Sequence, residues 1–336
     1  MNVAVVMIGC GAFARRYHLP AIEADGAARI ALIFDPSPAP ETVALAKRHG
    51  APLVRTLDQV PSAAALRATP DEAVGAIVTT PHTLHAAHVA AILERGMHVL
   101  VDKPFVMQTQ DAIDLAARAR SAGLVNGVAY NRRFDRNCLR ARELLRSNAI
   151  GTPRYVQTVQ LGYERAGWFL VPELGGGGPY TGRASHMADL LPWLLGRQPT
   201  RLRSRLRSSS PTRSDHGGFI ELQFDELECQ MTCIEEGWHM WDELRIFGDD
   251  GLIELRRPLT VPIGWSLRCL TKRMAEELSC DADATPGGAT IDFFDALRGR
   301  SAISCSFEQA IPSVRIVDLA FASAREGGPW LPIEGA

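Results

Sequence analysis

The first 130 residues repeat one pattern: a short, wholly apolar run, then a helical stretch stopped by glycine. "VAVVMIG" (3–9), "RIALIFD" (29–35), "AVGAIVTT" (73–80), "HVLVDK" (98–103) and "LVNGVAY" (124–130) are the apolar runs. None alternates polar with apolar, so each suits a strand covered on both faces. Between them lie helical stretches over 12–24, "APETVALAKRHG" (39–50), "LHAAHVAAILERG" and "DAIDLAARARSAG". The last three stop at glycine, the residue that closes a helix at left-handed φ. Strand–helix alternation of this kind predicts a doubly wound parallel sheet with helices on both faces.

After Tyr130 the pattern changes period. A helix over 134–147 leads into "GTPRYVQTVQLGYER", and then "RLRSRLRS", "GFIELQF", "LECQMTCIE", "ELRIFG" and "LIELRR" alternate apolar with polar. These read as half-exposed antiparallel strands. Helices at 186–196, 290–298 and 307–324 are expected to cover one face of that sheet. The fold expected is an α/β Rossmann domain over 1–125, followed by an α+β domain over 126–336 with an open-faced, largely antiparallel sheet. "DADATPGGAT" (281–290) is expected to be a mobile loop.

Composition removes several classes of function. A net charge of −2 gives no electrostatic reason to bind nucleic acid or a membrane. Four arginines alternate in "RLRSRLR" (201–207) without interleaved aromatics, which reads as a solvated sheet face or subunit contact. Seven scattered cysteines do not make a disulfide framework, and Cys229 and Cys233 read as small buried hydrophobes rather than metal ligands. No metal site is expected. The apolar start carries no basic residue and is too short for a signal peptide, and no run suits a spanning helix, so the cytoplasm is the expected compartment.

Three strand ends carry chemistry. "GCGAFA" (Gly9–Ala14) follows a strand and opens a helix, the setting in which a G-x-G-x-x-A turn cradles a pyrophosphate. Gly9 permits the tight turn, Gly11 lets the phosphate approach, and Ala14 packs the helix on the sheet; Ala12 and Phe13 complete the turn. Asp35 ends the second strand, where a carboxylate binds adenosine ribose hydroxyls and repels a 2′-phosphate. The following "PSPAP" offers no arginine, so NAD is expected rather than NADP. "VDKPF" (101–105) puts Lys103 at the C-terminal end of a strand, where ligands bind in open α/β sheets, and its bond to Pro104 is a candidate cis peptide.

Taken in order, Gly9–Ala14, Asp35, "TTPHTLHAAHVAAILERGMHVLVDKPF" (79–105), "YNRRF" (130–134), the glycines and histidine of 167–189, "ELRIFGDDGLIEL" and "DFFDALRGR" resemble the Gfo/Idh/MocA oxidoreductases over essentially the whole chain. The resemblance implies hydride transfer between NAD(P) and a sugar, polyol or related carbinol, in a homodimer or homotetramer. It matches Lys103 to the family's catalytic lysine and Asp102 to the glutamate before it. It places Thr80, Pro81 and His85 along the nicotinamide half of the cofactor and makes His186 the general acid/base. Tyr130, Arg133, Trp168, Tyr180, Thr181 and Arg183 are the implied substrate contacts.

One departure is plain. The family carries an aspartate four residues before the histidine, and Gly182 stands there instead. That loss argues against a simple polyhydroxylated sugar. A sugar with an anionic substituent, a keto-sugar and a less hydroxylated ring all stay open. Two other activities also stay open: a redox-neutral glycosidase or epimerase that retains NAD, and a non-catalytic NAD-binding protein.

Overall fold

The computed structural model describes residues 1–162, 167–178, 180–207, 217–235, 240–258, 264–273, 275–279 and 287–334. The chain divides into two compact units, residues 1–131 with 286–311, and residues 132–285 with 312–336.

The first unit holds strands β1 (Val3–Ile8), β2 (Ala28–Phe34), β3 (Leu53–Val54), β4 (Ala73–Val78), β5 (His98–Asp102) and β6 (Asn126–Ala129). They form one sheet in the order β3-β2-β1-β4-β5-β6, with every pair parallel. This is the doubly wound order, with the switch point between β1 and β4. Every residue of β1, β4 and β6 is buried, as the unbroken apolar runs require. Helices α1 (Leu19–Ala24), α2 (Pro40–His49), α3 (Ala63–Leu66), α4 (His85–Glu94) and α5 (Thr109–Ser121) connect the strands.

In the second unit a short helix α6 (Arg136–Arg146) precedes β7 (Pro153–Leu161). Then come α7 (Pro172–Gly175), α8 (Ser185–Leu195), β8 (Arg201–Arg207), β9 (Gly217–Phe224), β10 (Leu227–Ile234), β11 (Trp241–Gly248), β12 (Gly251–Pro258), β13 (Ser266–Thr271) and β14 (Ala275–Leu278). With β15 (Leu331–Pro332) they build a nine-stranded sheet, β14-β13-β12-β11-β7-β10-β9-β8-β15. Only β7 and β10 pair in parallel. Alternation holds: Arg201, Arg203, Arg205 and Arg207 are exposed while Leu202 and Ser204 are buried. Cys229 and Cys233 are buried on the inner face with Met231.

Two expectations are corrected. The boundary lies after residue 131 rather than 125, because β6 pairs with β5 through Val99–Asp102 and so belongs to the first sheet. The helix expected at 290–298 is α9 (Gly288–Leu297), and it packs on the first sheet, not the second. Its Phe293 lies so close to Gly75 of β4 that a Cβ there would fall 2.8 Å from the ring. The last helix, α10 (Phe307–Arg325), starts in the first unit and passes into the second at Pro312. Most of the loop expected at 281–290 lies outside the described residues.

Candidate active site

In the first unit the C-terminal ends of β1, β2, β4 and β5 bring the sequence-predicted cofactor residues to one edge of the sheet. Gly9 has φ +82°, and a Cβ on it would meet Thr80 Cγ2 at 2.9 Å and Thr79 O at 3.1 Å. Only glycine suits that left-handed turn against its neighbour strand. The Thr79 hydroxyl donates to Gly9 O at 2.8 Å and ties the turn to β4. At Gly11 an added Cβ would meet nothing within 4 Å, so the exposed backbone there is open to a phosphate. These residues fit a dinucleotide. Ala12 is exposed, Ala14 is buried, and Phe13 stacks on Tyr17 at 4.4 Å. The helix opens through a π turn at Ala14–His18 before α1, a feature that no sequence signal marks.

Asp35 is held by two backbone amides, Cys10 N–H to Oδ2 at 3.4 Å and Ser37 N–H to Oδ1 at 3.1 Å. Sequence reading missed its neighbours Arg15 and Thr42. Arg15 Nη1 donates to Cys10 O at 2.8 Å and Thr42 Oγ1 at 3.1 Å, and the Thr42 hydroxyl donates to Cys10 O at 2.9 Å. Arg15 and Asp35 both act on the Cys10 thiol, with opposite sign; burial, the larger influence, pushes it up. An arginine therefore does lie in this neighbourhood, supplied by the helix after the glycines rather than by 36–40. The signal was its place four residues after Gly11, where its N–H bonds Gly11 O at 3.1 Å.

Across the β4 and β5 ends, Thr80 is buried with its Oγ1 2.9 Å from His88 Nδ1. Burial pushes His88 down to about 4, so it is neutral near pH 7. Pro81 is half-buried at the head of the next turn. His85 is 1% exposed, with Nδ1 2.8 Å from Pro104 O and Nε2 2.8 Å from Thr80 O. Asp102 is half-buried at the end of β5, and Lys103 after it is 8% exposed. The Lys103–Pro104 peptide is cis. Tyr130, just past β6, is buried.

In the second unit the glycine-rich stretch is mostly helix. Tyr180–Ala184 is a π turn that runs straight into α8, so Thr181 and Arg183 stand on a helix rather than a loop. Thr181 is wholly buried and donates to Gly176 O at 3.4 Å. From Thr181 to Pro192 every residue whose burial is described is buried except His186, which is half-buried. Trp168 stacks on Phe169 with ring centres 3.7 Å apart. The Tyr180 side chain, Trp238 and His239 lie outside the described residues.

Charged residues cluster near α8. Arg133 Nε and Nη2 bond Asp189 Oδ2 and Oδ1 at 2.9 and 2.5 Å. Arg183 Nε donates to Glu235 at 3.0 Å, with its guanidinium pressed against Gly162 at the end of β7, where no side chain could fit. Arg132, which sequence reading passed over for Arg133, donates through Nη2 to Asp242 at 2.8 Å, and its guanidinium lies 5.1 Å from the Trp265 ring. Its Nε and Nη1 are buried and meet no hydrogen-bond partner among the described residues. Burial pushes it down to about 10. Arg257 reaches the same Asp242 at 3.4 Å. Asp135, whose charge acts with that of Arg257, is a fourth carboxylate among these four arginines. Arg132 and Asp242 are 110 positions apart, and sequence spacing cannot announce such a pair. Among the described residues no cluster of His, Cys, Asp and Glu could hold a metal, and no helix is long and apolar enough to cross a membrane.

Comparison with known proteins gives two family matches. The oxidoreductase family with an NAD-binding Rossmann fold matches residues 3–130, and the GFO/IDH/MocA C-terminal domain matches residues 138–254. A 1-carboxy-3-chloro-3,4-dihydroxycyclohexa-1,5-diene dehydrogenase of Comamonas testosteroni is 31% identical over 153 residues, 44% of this chain and 38% of that protein. The 1,5-anhydro-D-fructose reductase of Ensifer adhaerens is 30% identical over 197 residues, 57% of this chain and 56% of that protein. The chain thus matches about half, or less, of the length of these relatives. The WlbA dehydrogenase from Bordetella pertussis, solved with NADH and UDP-GlcNAcA, superposes with a TM-score of 0.81 at 18% identity, covering 100% of both chains. At that identity the likeness establishes the fold.

Proposed function

The chain belongs to the Gfo/Idh/MocA oxidoreductases, and on that premise we propose that it moves a hydride between NAD(H) and a carbinol or ketone of a sugar, polyol or related cyclic substrate. The observation that carries this is the sheet edge of the first unit. There the open Gly11 backbone, the amide-held Asp35 and the buried Lys103 stand at the ends of β1, β2 and β5. Gly9–Ala14 would hold the pyrophosphate, Asp35 the adenosine ribose, and Thr80, Pro81 and Asp102 the nicotinamide half. Bound NAD(H) supplies the hydride exchange.

Lys103 donates a hydrogen bond to the reacting oxygen and steadies the negative charge that develops on it. His186 takes the hydroxyl proton in oxidation and returns it in reduction, work for which imidazole is suited near neutrality. Tyr130, Arg133, Trp168, Tyr180, Thr181 and Arg183 are the candidate substrate contacts. Arg133, Thr181 and Arg183, all already bonded within the protein, serve by shaping the wall. The loss of the aspartate at Gly182 argues, within this class, against a simple polyhydroxylated sugar. NAD is preferred to NADP because the Asp35 carboxylate repels a 2′-phosphate. The protein acts as a homodimer or homotetramer, which light scattering would read.

The deciding experiment is a panel of neutral sugars, acidic sugars, keto-sugars and cyclic polyols, followed by NADH absorbance. Net NADH change with one of them supports the proposal. Tightly retained NAD with substrate turnover but no net change would mean a redox-neutral enzyme. Binding of NAD without turnover of any compound would mean a non-catalytic protein.

A further inference from the structure

His85 is a buried polar side chain near Lys103 with both ring nitrogens engaged. It is 1% exposed, and both ring nitrogens meet backbone carbonyls at 2.8 Å, Nδ1 that of Pro104 and Nε2 that of Thr80. The two carbonyls belong to different turns. Thr80 follows β4, and Pro104 follows Lys103 at the end of β5. β4 and β5 are parallel neighbours, with Val78 opposite Val101, so the ring bridges two adjacent strand ends. The far side of the second turn is fixed as well, because Phe105 is fully buried and stacks on Phe307 at 4.3 Å.

A carbonyl oxygen only accepts, so each contact requires an N–H from the ring. A neutral imidazole has one N–H and meets one carbonyl; the imidazolium meets both. Burial disfavours the charged ring most; the carbonyls of Pro104, Thr80 and Phe105 pull the other way, the ammonium of Lys103 adds to burial, and the balance favours the neutral ring. Two histidines stand near it, His82, with ring centres 6.0 Å apart, and His88 on the same helix. Neither is an acid that would hold a second proton on His85. The neutral ring therefore has one donor to place, and its acceptors are not equivalent: Phe105 O, like Pro104 O, belongs to the turn after Lys103. Pro104 O is one residue from Lys103, whereas Thr80 O is on the neighbouring strand.

We propose that His85 is a positioning residue for Lys103, acting through the Nδ1–H bond to Pro104 O, rather than a cofactor contact. This rests on the reading of Lys103 as the group that meets the reacting oxygen. Held between β5 on one side and the fastened Pro104 on the other, the lysine backbone has no slack, and a small misplacement at a reacting group is costly to rate.

Two substitutions separate the contacts. In His85→Asn the side-chain amide stands where Nδ1 stood and keeps the bond to Pro104 O. In His85→Gln it stands where Nε2 stood and keeps only the bond to Thr80 O. The chain has three lysines, Lys47, Lys103 and Lys272, so trace acetylation with acetic anhydride, read by mass spectrometry over a pH series, reports each one separately. The expected result is that Lys103 in His85→Gln reacts at least about threefold faster than in wild type, as a loosened buried amine does. In His85→Asn its rate and pH profile stay at wild type, and Lys47 and Lys272 do not change in either. Equal acceleration in both variants overturns the proposal, as does no change in His85→Gln, or acceleration of all three lysines together. The measurement needs no substrate and does not depend on what Lys103 does. Failure of the catalytic reading shows separately, as full turnover in Lys103→Met.

Discussion

Arg133 grips Asp189 side-on, Nε and Nη2 each meeting one carboxylate oxygen, with both residues buried. Burial pushes the Asp189 carboxyl up, and Arg133 pulls it back down. Asp189 lies one helical turn from His186, so the pair fixes α8 where it carries that histidine. Breaking a buried pair of this kind by removing one partner costs about 3–5 kcal/mol. Asp189→Asn is expected to lower stability in urea by that order. Replacing both, Arg133→Met with Asp189→Leu, should recover most of it. A double replacement no more stable than the single one would show that the pair is not the source.

Asp35→Ser should narrow the preference for NAD over NADP by at least about tenfold, roughly 1.4 kcal/mol, because the repelled phosphate loses its opponent. Arg15, held by Cys10 O and Thr42 Oγ1, stays to meet it. Titration calorimetry with both nucleotides measures the ratio. An unchanged ratio would mean that the 2′-position is read elsewhere.

Lys103→Met and His186→Gln are each expected to reduce kcat by about 10²–10⁴-fold while NAD⁺ affinity stays within a few-fold. Cofactor binding is followed by fluorescence and turnover with whichever panel compound proves active. Turnover at the wild-type level in either variant removes that residue from the mechanism.

His18 gives the protein an acid limit. It is buried, bonded through Nδ1 to Thr290 Oγ1 at 2.9 Å, and pushed down to about 4 by burial. An unfolded chain binds the proton near 6.5, so between these values the unfolded state holds more protons. Stability is complete above about pH 6.5 and drains away as pH falls toward 4, by up to about 3 kcal/mol from this residue. Urea melts in a pH series should show that slope. His18→Asn, which keeps a partner for Thr290, should flatten it.

The fold was legible because the two halves of the chain have different hydrophobic periods. Unbroken runs such as 3–9 and alternating ones such as 201–207 each have one solution as strands. The placing of Gly9, Asp35 and Lys103 at strand ends was legible for the same reason, since each ends such a run. Local pattern does not say which sheet a late helix joins, so α9 was placed on the wrong one. The pairs Arg132–Asp242 and Arg183–Glu235 were invisible because contacts across 110 and 52 positions leave no periodic trace. The π turns at 14–18 and 180–184 were invisible too, because widening one turn of a helix demands no particular residue.

The return of residues 286–311 to the first unit bears on how the protein is made. On the ribosome the Rossmann strands emerge before the second sheet, yet Phe293 against Gly75 and Ile303 against Gly127 are missing until that sheet has been made. Of the two units, the one begun first is thus completed only after most of the other. A fragment ending at residue 131 would leave those two strands uncovered on the face that α9 occupies. Expression of the nucleotide-binding half alone calls for a graft of 287–311 rather than a simple stop codon.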